Sequence, residues 1–100
     1  MSITTTASSD GSEITIHVSG RFDFSKHREF VDAYKEYPKG EMTYVVDLAG
    51  ADYMDSSAMG MLLQLREYAK PKQNIKIVNG NEGIREILRI ANFDKLFSIS

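Results

Sequence analysis

The chain contains no cysteine, which excludes disulfides, thiolate metal sites and thiol nucleophiles. It also lacks a run of basic residues, and its formal net charge of -2 argues against direct binding to nucleic acid. No apolar run approaches the ~20 residues that a membrane span requires, and the polar residues 1–10 do not resemble a signal peptide. We therefore expect a cytoplasmic protein that binds neither nucleic acid nor a membrane.

The composition that remains is ordinary for a folded domain. Of 100 residues, 42% are apolar and 26% are charged. This length supports one modest core but not two, and no linker, repeat or low-complexity segment divides the chain. We expect a single domain over residues 1–100.

The secondary-structure pattern begins with two strands and then alternates. Residues 3–7 and 13–18 alternate in polarity around a turn at residues 9–12, which predicts an antiparallel hairpin ending at Gly20. A buried strand is predicted over residues 44–48 and another over 74–78. Residues 96–99 form a tail or an edge strand.

Three helices are predicted between these strands. The first has Phe24, His27, Phe30, Val31 and Tyr34 on one stripe; the others cover residues 57–69 and 84–91. Alternating strands and helices imply parallel strands joined by right-handed crossovers. The predicted fold class is α/β, a mixed sheet of four to five strands with helices packed against it.

The candidate functional loop covers residues 49–55, because such loops lie beyond the carboxyl ends of strands. Asp55, Ser56 and Ser57 open the next helix. Asp and Ser are also preferred helix caps that stabilise by ~0.5–2 kcal/mol, so a purely structural role is the simplest explanation. The helix is nevertheless apolar almost all round, with Met59 and Leu63 outside its core stripe, which favours a surface that receives a partner.

A phosphate on Ser56 would lie at the positive end of this helix, where amide groups and the helix dipole favour an anion. It would add ~1.5–2 negative charges near Asp52 and Asp55. A partner that fits the unmodified face would then meet repulsion and a desolvation cost. A loss of ~3 kcal/mol weakens binding more than a hundredfold, so the pattern predicts a switch that acts on an interface.

Enzyme motifs are absent from the sequence. His17 and His27 lack metal-ligand spacing, and neither Gly-x-Ser-x-Gly nor a glycine-rich phosphate loop occurs. Asp47, Asp52 and Asp55 suggest an aspartyl-phosphate receiver, but the acidic pair that a receiver needs after its first strand is missing. We expect no catalytic residue, metal or cofactor, and a receiver or small hydrolase is the less favoured alternative.

Residues 53–61, Tyr-Met-Asp-Ser-Ser-Ala-Met-Gly-Met, resemble the signature of STAS domains of the bacterial anti-sigma factor antagonist type. Residues 19–23, 45–48 and 83–97 resemble further segments of that family, in the same order. The sequence departs from the family pattern at Ala58, where Gly is commoner, and at Arg21, where an acidic residue is frequent.

This resemblance implies that Ser56 is a phosphorylation site, with Ser57 and Asp23 close to it. It implies that the unphosphorylated form binds an anti-sigma factor with serine kinase activity, and that a metal-dependent serine phosphatase of the PP2C type restores this form. The output would be transcription or a related process such as biofilm formation or motility. Candidate partner-facing residues are Asp23, Asp52, Asp55, Met54, Met59 and Met61. The alternative is an unphosphorylated accessory subunit of an ABC transporter ATPase.

Overall fold

The computed structural model describes residues 2–72 and 75–100. Within these residues the elements are β1 (Ile3–Ala7), β2 (Glu13–Phe22), α1 (His27–Lys35), β3 (Thr43–Met54), α2 (Ser56–Ala69), β4 (Lys76–Val78), α3 (Glu82–Ile90) and β5 (Ser98–Ile99). The predicted order is confirmed, and the C-terminal segment is an edge strand. Asn74, the predicted first residue of the fourth strand, lies outside the described residues. No helix in the described part of the chain is long and apolar enough to cross a membrane.

The strands form one mixed sheet in the order β1-β2-β3-β4-β5. The first pair is antiparallel, as the predicted hairpin requires, and every later pair is parallel. The mixed α/β sheet is therefore confirmed, with five strands.

The helices cover one face of this sheet. Alternate residues of the strands belong to the same buried cluster as the inner residues of the helices: Ile14, Ile16, Val18, Tyr44, Val46, Leu48 and Ile77 with Phe30, Leu62, Leu65, Ile84 and Leu88. The intervening residues Thr15, His17 and Asp47 are half-buried and lie on the opposite face. Burial of one sheet face thus fixes where the helices pack, whereas the other face carries these polar residues beside the buried Val45.

The two central strands are longer than predicted. β2 continues past Gly20 to Phe22, and β3 continues through the candidate loop to Met54. The extended ends, residues 19–22 of β2 and 50–54 of β3, are weakly hydrophobic. They pair in parallel, with register shifts between His17 and Ser19 and between Gly20 and Arg21. Their main chains approach so closely that a Cβ atom at Gly50 would lie 2.9 Å from the Cβ of Ser19. Main-chain pairing therefore extends the sheet to Met54, the residue before the α2 N-cap Asp55.

The prediction that Phe24 lies on the core stripe of the first helix is wrong. This residue belongs to a separate 3-10 turn, Phe24–Lys26, and 67% of it is exposed. Lys26 is buried, and its ammonium donates a hydrogen bond to the carbonyl of Arg21, which ties the 3-10 turn to the end of β2. Phe24 instead stacks on His27, with ring centroids 5.1 Å apart.

Candidate functional site

The N-terminus of α2 is held by Asp55. Its backbone is extended, with φ -123°, and its Oδ1 accepts hydrogen bonds from the Ala58 amide at 3.1 Å and the Ser57 hydroxyl at 2.7 Å. This is the geometry of a helix N-cap. Ser56 follows as the first helical residue and is exposed, and within residues 2–72 and 75–100 its hydroxyl has no hydrogen-bond partner. The cap therefore engages Ser57 and leaves Ser56 accessible.

Both hydrogen bonds affect the charge of the Asp55 carboxyl. The Ser57 hydroxyl, with help from the Ala58 amide, lowers the pKa of Asp55, while the neighbouring charge of Asp23 acts in the opposite direction. Asp55 is therefore ionised at neutral pH. The opposing effect of Asp23 also shows that the structure brings these two predicted site residues within electrostatic reach.

Asp23 follows β2 and caps the 3-10 turn. Its carboxylate accepts the Ser25 amide at 3.0 Å and the Ser25 hydroxyl at 2.5 Å, and the Ser25 hydroxyl is the main reason why the pKa of Asp23 is lowered. The Arg21 Nε lies 3.4 Å from the same carboxylate. The Asp55 carboxylate at the mouth of α2 thus lies within electrostatic reach of Asp23, which in turn contacts the Arg21 guanidinium.

Arg21 also covers the ring of Tyr53. The parallel register places these residues opposite each other, and the Arg21 Cζ lies 4.0 Å from the centre of the Tyr53 ring. In the sequence alone, Arg21 is notable only as a departure from the family pattern. The predicted strands end at residues 20 and 48, whereas strands that extend to residues 22 and 54 in parallel register place Arg21 beside Tyr53.

Two of the predicted partner-facing residues are wrong. Met54 and Met61 are each only 2% exposed and belong to the core. Met54 ends β3 opposite the buried Phe22, and Met61 falls on the core stripe of α2, so neither side chain reaches the surface. Asp52 is exposed near the end of β3, and Met59 is half-buried against the core.

The outer face of α2 carries no charged residue near its mouth. From Ser56 to Leu65 the sequence contains neither acid nor base. Gly60, Leu63 and Gln64 are exposed along this stretch, and Leu63 shows 40% of its surface. The predicted apolar excess beyond the core stripe is therefore present at Leu63. The outer face of α2 consists of Ser56, Gly60, Leu63 and Gln64.

A second polar cluster lies on the open face of the sheet. The His17 Nδ1 lies 3.0 Å from the Asp47 carboxylate, and the His17 Nε2 lies 3.1 Å from the Thr6 hydroxyl. Burial raises the pKa of Asp47, but hydrogen bonds from the Asn79 amide, the Ala49 backbone and His17 outweigh it and lower the pKa. Among the described residues, no group of three His, Asp or Glu side chains is placed to hold a metal ion.

Comparisons with known proteins agree with this fold. A family model described as Mlab, STAS domain matches residues 5–98. The STAS-domain containing protein PA14_20770 of Pseudomonas aeruginosa (strain UCBPP-PA14) is 48% identical over 101 residues, and the match covers 100% of both chains.

Two solved structures share the fold at low sequence identity. An anti-sigma factor antagonist from Mycobacterium paratuberculosis superposes with a TM-score of 0.76 at 19% identity, covering 98% of this chain and 85% of the other. The Bacillus cell fate determinant SpoIIAA in its phosphorylated form gives a TM-score of 0.66 at 15% identity, with 98% and 90% covered. Because the family model spans nearly the whole chain, this protein belongs to the STAS domain family, as the motif at residues 53–61 predicts.

Proposed function

We propose that this protein is an anti-sigma factor antagonist regulated by phosphorylation of Ser56. The observation that carries the proposal is an exposed serine at the mouth of a capped helix, followed by an uncharged outer face. The unphosphorylated form binds an anti-sigma factor with serine kinase activity, and the sigma factor is released. The fold shared with anti-sigma factor antagonists supports this assignment.

Phosphorylation at this position is compatible with the fold. A phosphate on Ser56 lies among the first amide groups of α2, where the helix dipole favours an anion. The ionised Asp23 and Asp55 oppose the added charge, whereas the guanidinium of Arg21 at the same mouth offsets part of it. The helix therefore stays formed, and the charge is felt by whatever docks on the outer face of α2.

The remaining parts of the cycle belong to other proteins. The kinase binds ATP and transfers its γ-phosphate to Ser56, releasing ADP, and a metal-dependent serine phosphatase of the PP2C type hydrolyses the phosphate off again. This chain itself acts as a cytoplasmic regulatory module rather than as an enzyme. Release of the sigma factor changes transcription, or a related output such as biofilm formation or motility.

The test is phosphorylation of the purified protein by each anti-sigma serine kinase encoded in the same genome. We expect one kinase to transfer phosphate from ATP to the wild type and to the matched control Ser57→Ala, but not to Ser56→Ala. Mass spectrometry locates the phosphate, and a PP2C-type phosphatase removes it. Equal phosphate on wild type and Ser56→Ala contradicts the assignment. Absence of phosphate on the wild type, together with stable co-purification of an ABC transporter ATPase, favours the accessory-subunit alternative.

A further inference from the structure

The N-terminal strand β1 forms one edge of the sheet in the described part of the chain. The residues that flank it, Ser2 and Ser8, each make a main-chain hydrogen bond to β2, 2.9 and 2.8 Å long. The register between them has no shift, and main-chain groups alternate in direction along an antiparallel strand. The amides and carbonyls of Ile3, Thr5 and Ala7 therefore point away from β2, towards the open side of the sheet.

This edge lacks the features that usually prevent further pairing. Natural sheets protect their edges with charged residues, proline, bulges or very short strands. The opposite edge strand, β5, has only two residues, whereas β1 has five, Ile-Thr-Thr-Thr-Ala, with no charge and no proline. Threonine and isoleucine also favour extended backbone. The edge of β1 can therefore accept an additional strand, whose main-chain hydrogen bonds would supply affinity.

A groove of about 330 Å³ lies beside this edge, between β1 and α1. Residues 3–5 form its strand side, and its helix side includes three carboxylates, Glu29, Asp32 and Glu36. The lining contains no basic side chain. Glu29 accepts a hydrogen bond from the Ser2 hydroxyl at 2.9 Å, but none of the three carboxylates lies in an ion pair with another described residue. The groove is therefore negatively charged along the open edge.

The charge of the groove favours one kind of occupant. A second copy of this chain would pair its β1 antiparallel with β1 about a two-fold axis perpendicular to the sheet. Both α1 helices would then lie on the same face of the joined sheet, with their carboxylates turned towards each other, and like charges oppose such pairing. An extended segment with Lys or Arg at alternate positions instead presents its cations on one face. That face matches the carboxylates of α1.

We propose that an extended basic segment of another protein adds to β1 as a further strand of the sheet. Its main chain pairs with the outward groups of Ile3, Thr5 and Ala7, and its Lys or Arg side chains lie against Asp32 and Glu36. This inference goes beyond the proposed function, because it uses no residue of the outer face of α2. Its test therefore does not depend on Ser56.

The test uses two synthetic peptides and isotope-labelled wild-type protein, with binding followed by NMR. The basic peptide is Thr-Lys-Val-Lys-Thr-Lys-Val, and the control peptide has Glu in place of each Lys. We expect saturable binding of the basic peptide with a Kd below about 1 mM, and amide shifts centred on Ile3, Thr5 and Ala7. The acidic peptide should bind at least about tenfold more weakly, because its charges oppose those of the groove.

Two kinds of variant separate the main-chain and charge contributions. Thr5→Pro removes an outward amide that β2 does not use, so the strand should persist while the basic peptide binds at least about tenfold more weakly. Asp32→Asn with Glu36→Gln leaves the main chain intact and should weaken binding about threefold or more, since exposed ion pairs each contribute little. The matched control, Glu82→Gln with Asp94→Asn, removes two charges outside the groove and should leave the affinity unchanged.

Several outcomes overturn the inference. They are equal affinity for the two peptides, amide shifts centred away from β1, and wild-type affinity in either the folded Thr5→Pro protein or the Asp32→Asn, Glu36→Gln protein. If Thr5→Pro unfolds by circular dichroism, the charge variant and its control decide alone. Sedimentation of the wild type gives a further check. A dimer that Thr5→Pro abolishes would show that a second copy occupies the edge, against the proposal.

Discussion

Helices α2 and α3 both begin after an extended residue whose side-chain oxygen accepts a hydrogen bond from the amide three residues later. In α2 the Asp55 carboxylate accepts from Ala58 at 3.1 Å, and in α3 the Asn81 amide oxygen accepts from Ile84 at 2.9 Å. Each helix then buries one side against the same sheet face. Both helices therefore begin with the same type of side-chain N-cap.

The two helices differ in what they show to solvent. α3 begins with Glu82, and its exposed side carries Arg85 and an Arg89–Glu86 ion pair with contacts of 2.5–2.9 Å. α2 begins with Ser56 and has no charged residue before Arg66. A helix surface that only faces water is normally charged. The cap by itself therefore does not distinguish α2 from α3, whereas the uncharged surface behind the α2 cap does.

The largest expected effect tests whether the two helices are equally important to the core. Leu62 in α2 and Leu88 in α3 are fully buried, so Leu62→Ala and Leu88→Ala should each cost about 2–5 kcal/mol of unfolding free energy. Urea denaturation measures both. Leu63→Ala, a neighbouring exposed position, should change stability by less than about 0.5 kcal/mol. A cost below about 1 kcal/mol for Leu62→Ala would show that α2 is not anchored as described.

The next effect separates the helices by function. Ser56→Asp places a charge at the mouth of α2, and we expect it to weaken binding of the anti-sigma partner more than a hundredfold, about 3 kcal/mol, without unfolding the protein. Glu82→Gln changes the charge at the corresponding position of α3 and should leave binding unchanged. Calorimetric titration with circular dichroism measures both properties. An unfolded Ser56→Asp protein would refute the interface mechanism.

Smaller effects are expected from the caps themselves. Asp55→Ala and Asn81→Ala each remove one acceptor from a first-turn amide, so each should cost about 0.5–2 kcal/mol. Thermal unfolding measures the two variants beside the exposed control Asp52→Ala, which should differ from the wild type by less than about 0.5 kcal/mol. A much larger loss for Asp55→Ala would mean that its carboxylate has a structural role beyond the cap.

The same caps should differ in their response to acid. The pKa of Asp55 is lowered below its ordinary value of 3.8, chiefly by the Ser57 hydroxyl. Its contribution is therefore complete above that value and is lost as the pH falls through the lowered pKa. Asn81 does not titrate. Asp55→Asn should flatten part of the acid-induced loss of Tm, whereas Asn81→Ala should lower Tm equally at neutral and acidic pH.

Sequence patterns predicted the elements whose stability depends on side-chain burial. The alternation of Ile14, Ile16 and Val18 gave the second strand, and Asp55 and Ser56 marked the start of α2 within one residue. Placement of Asp23 near Asp55 came from a family resemblance rather than from periodicity. The order of strands and helices follows from short-range chemistry, because each pattern is local.

The misses at Met54 and at the Arg21–Tyr53 pair share a different cause. The stretch from Ala49 to Asp52 is too polar to indicate a strand, and only its pairing with the end of β2 extends β3 to Met54. That extension turns the Met54 side chain into the core and aligns Arg21 with Tyr53. Long-range main-chain pairing leaves no mark in local hydrophobicity, so the surface around the site could not be predicted in detail.

The sequential order of the strands also has a consequence for how the site is assembled during folding. Neighbours in the sheet are neighbours along the chain, so each strand can pair with its preceding neighbour without any later part of the chain. The pairing of β2 with β3 brings Arg21 to Tyr53 and sets the start of α2. This pairing needs neither β4 nor β5. The region around Arg21, Tyr53 and the start of α2 can therefore take shape before the C-terminal strands join the sheet.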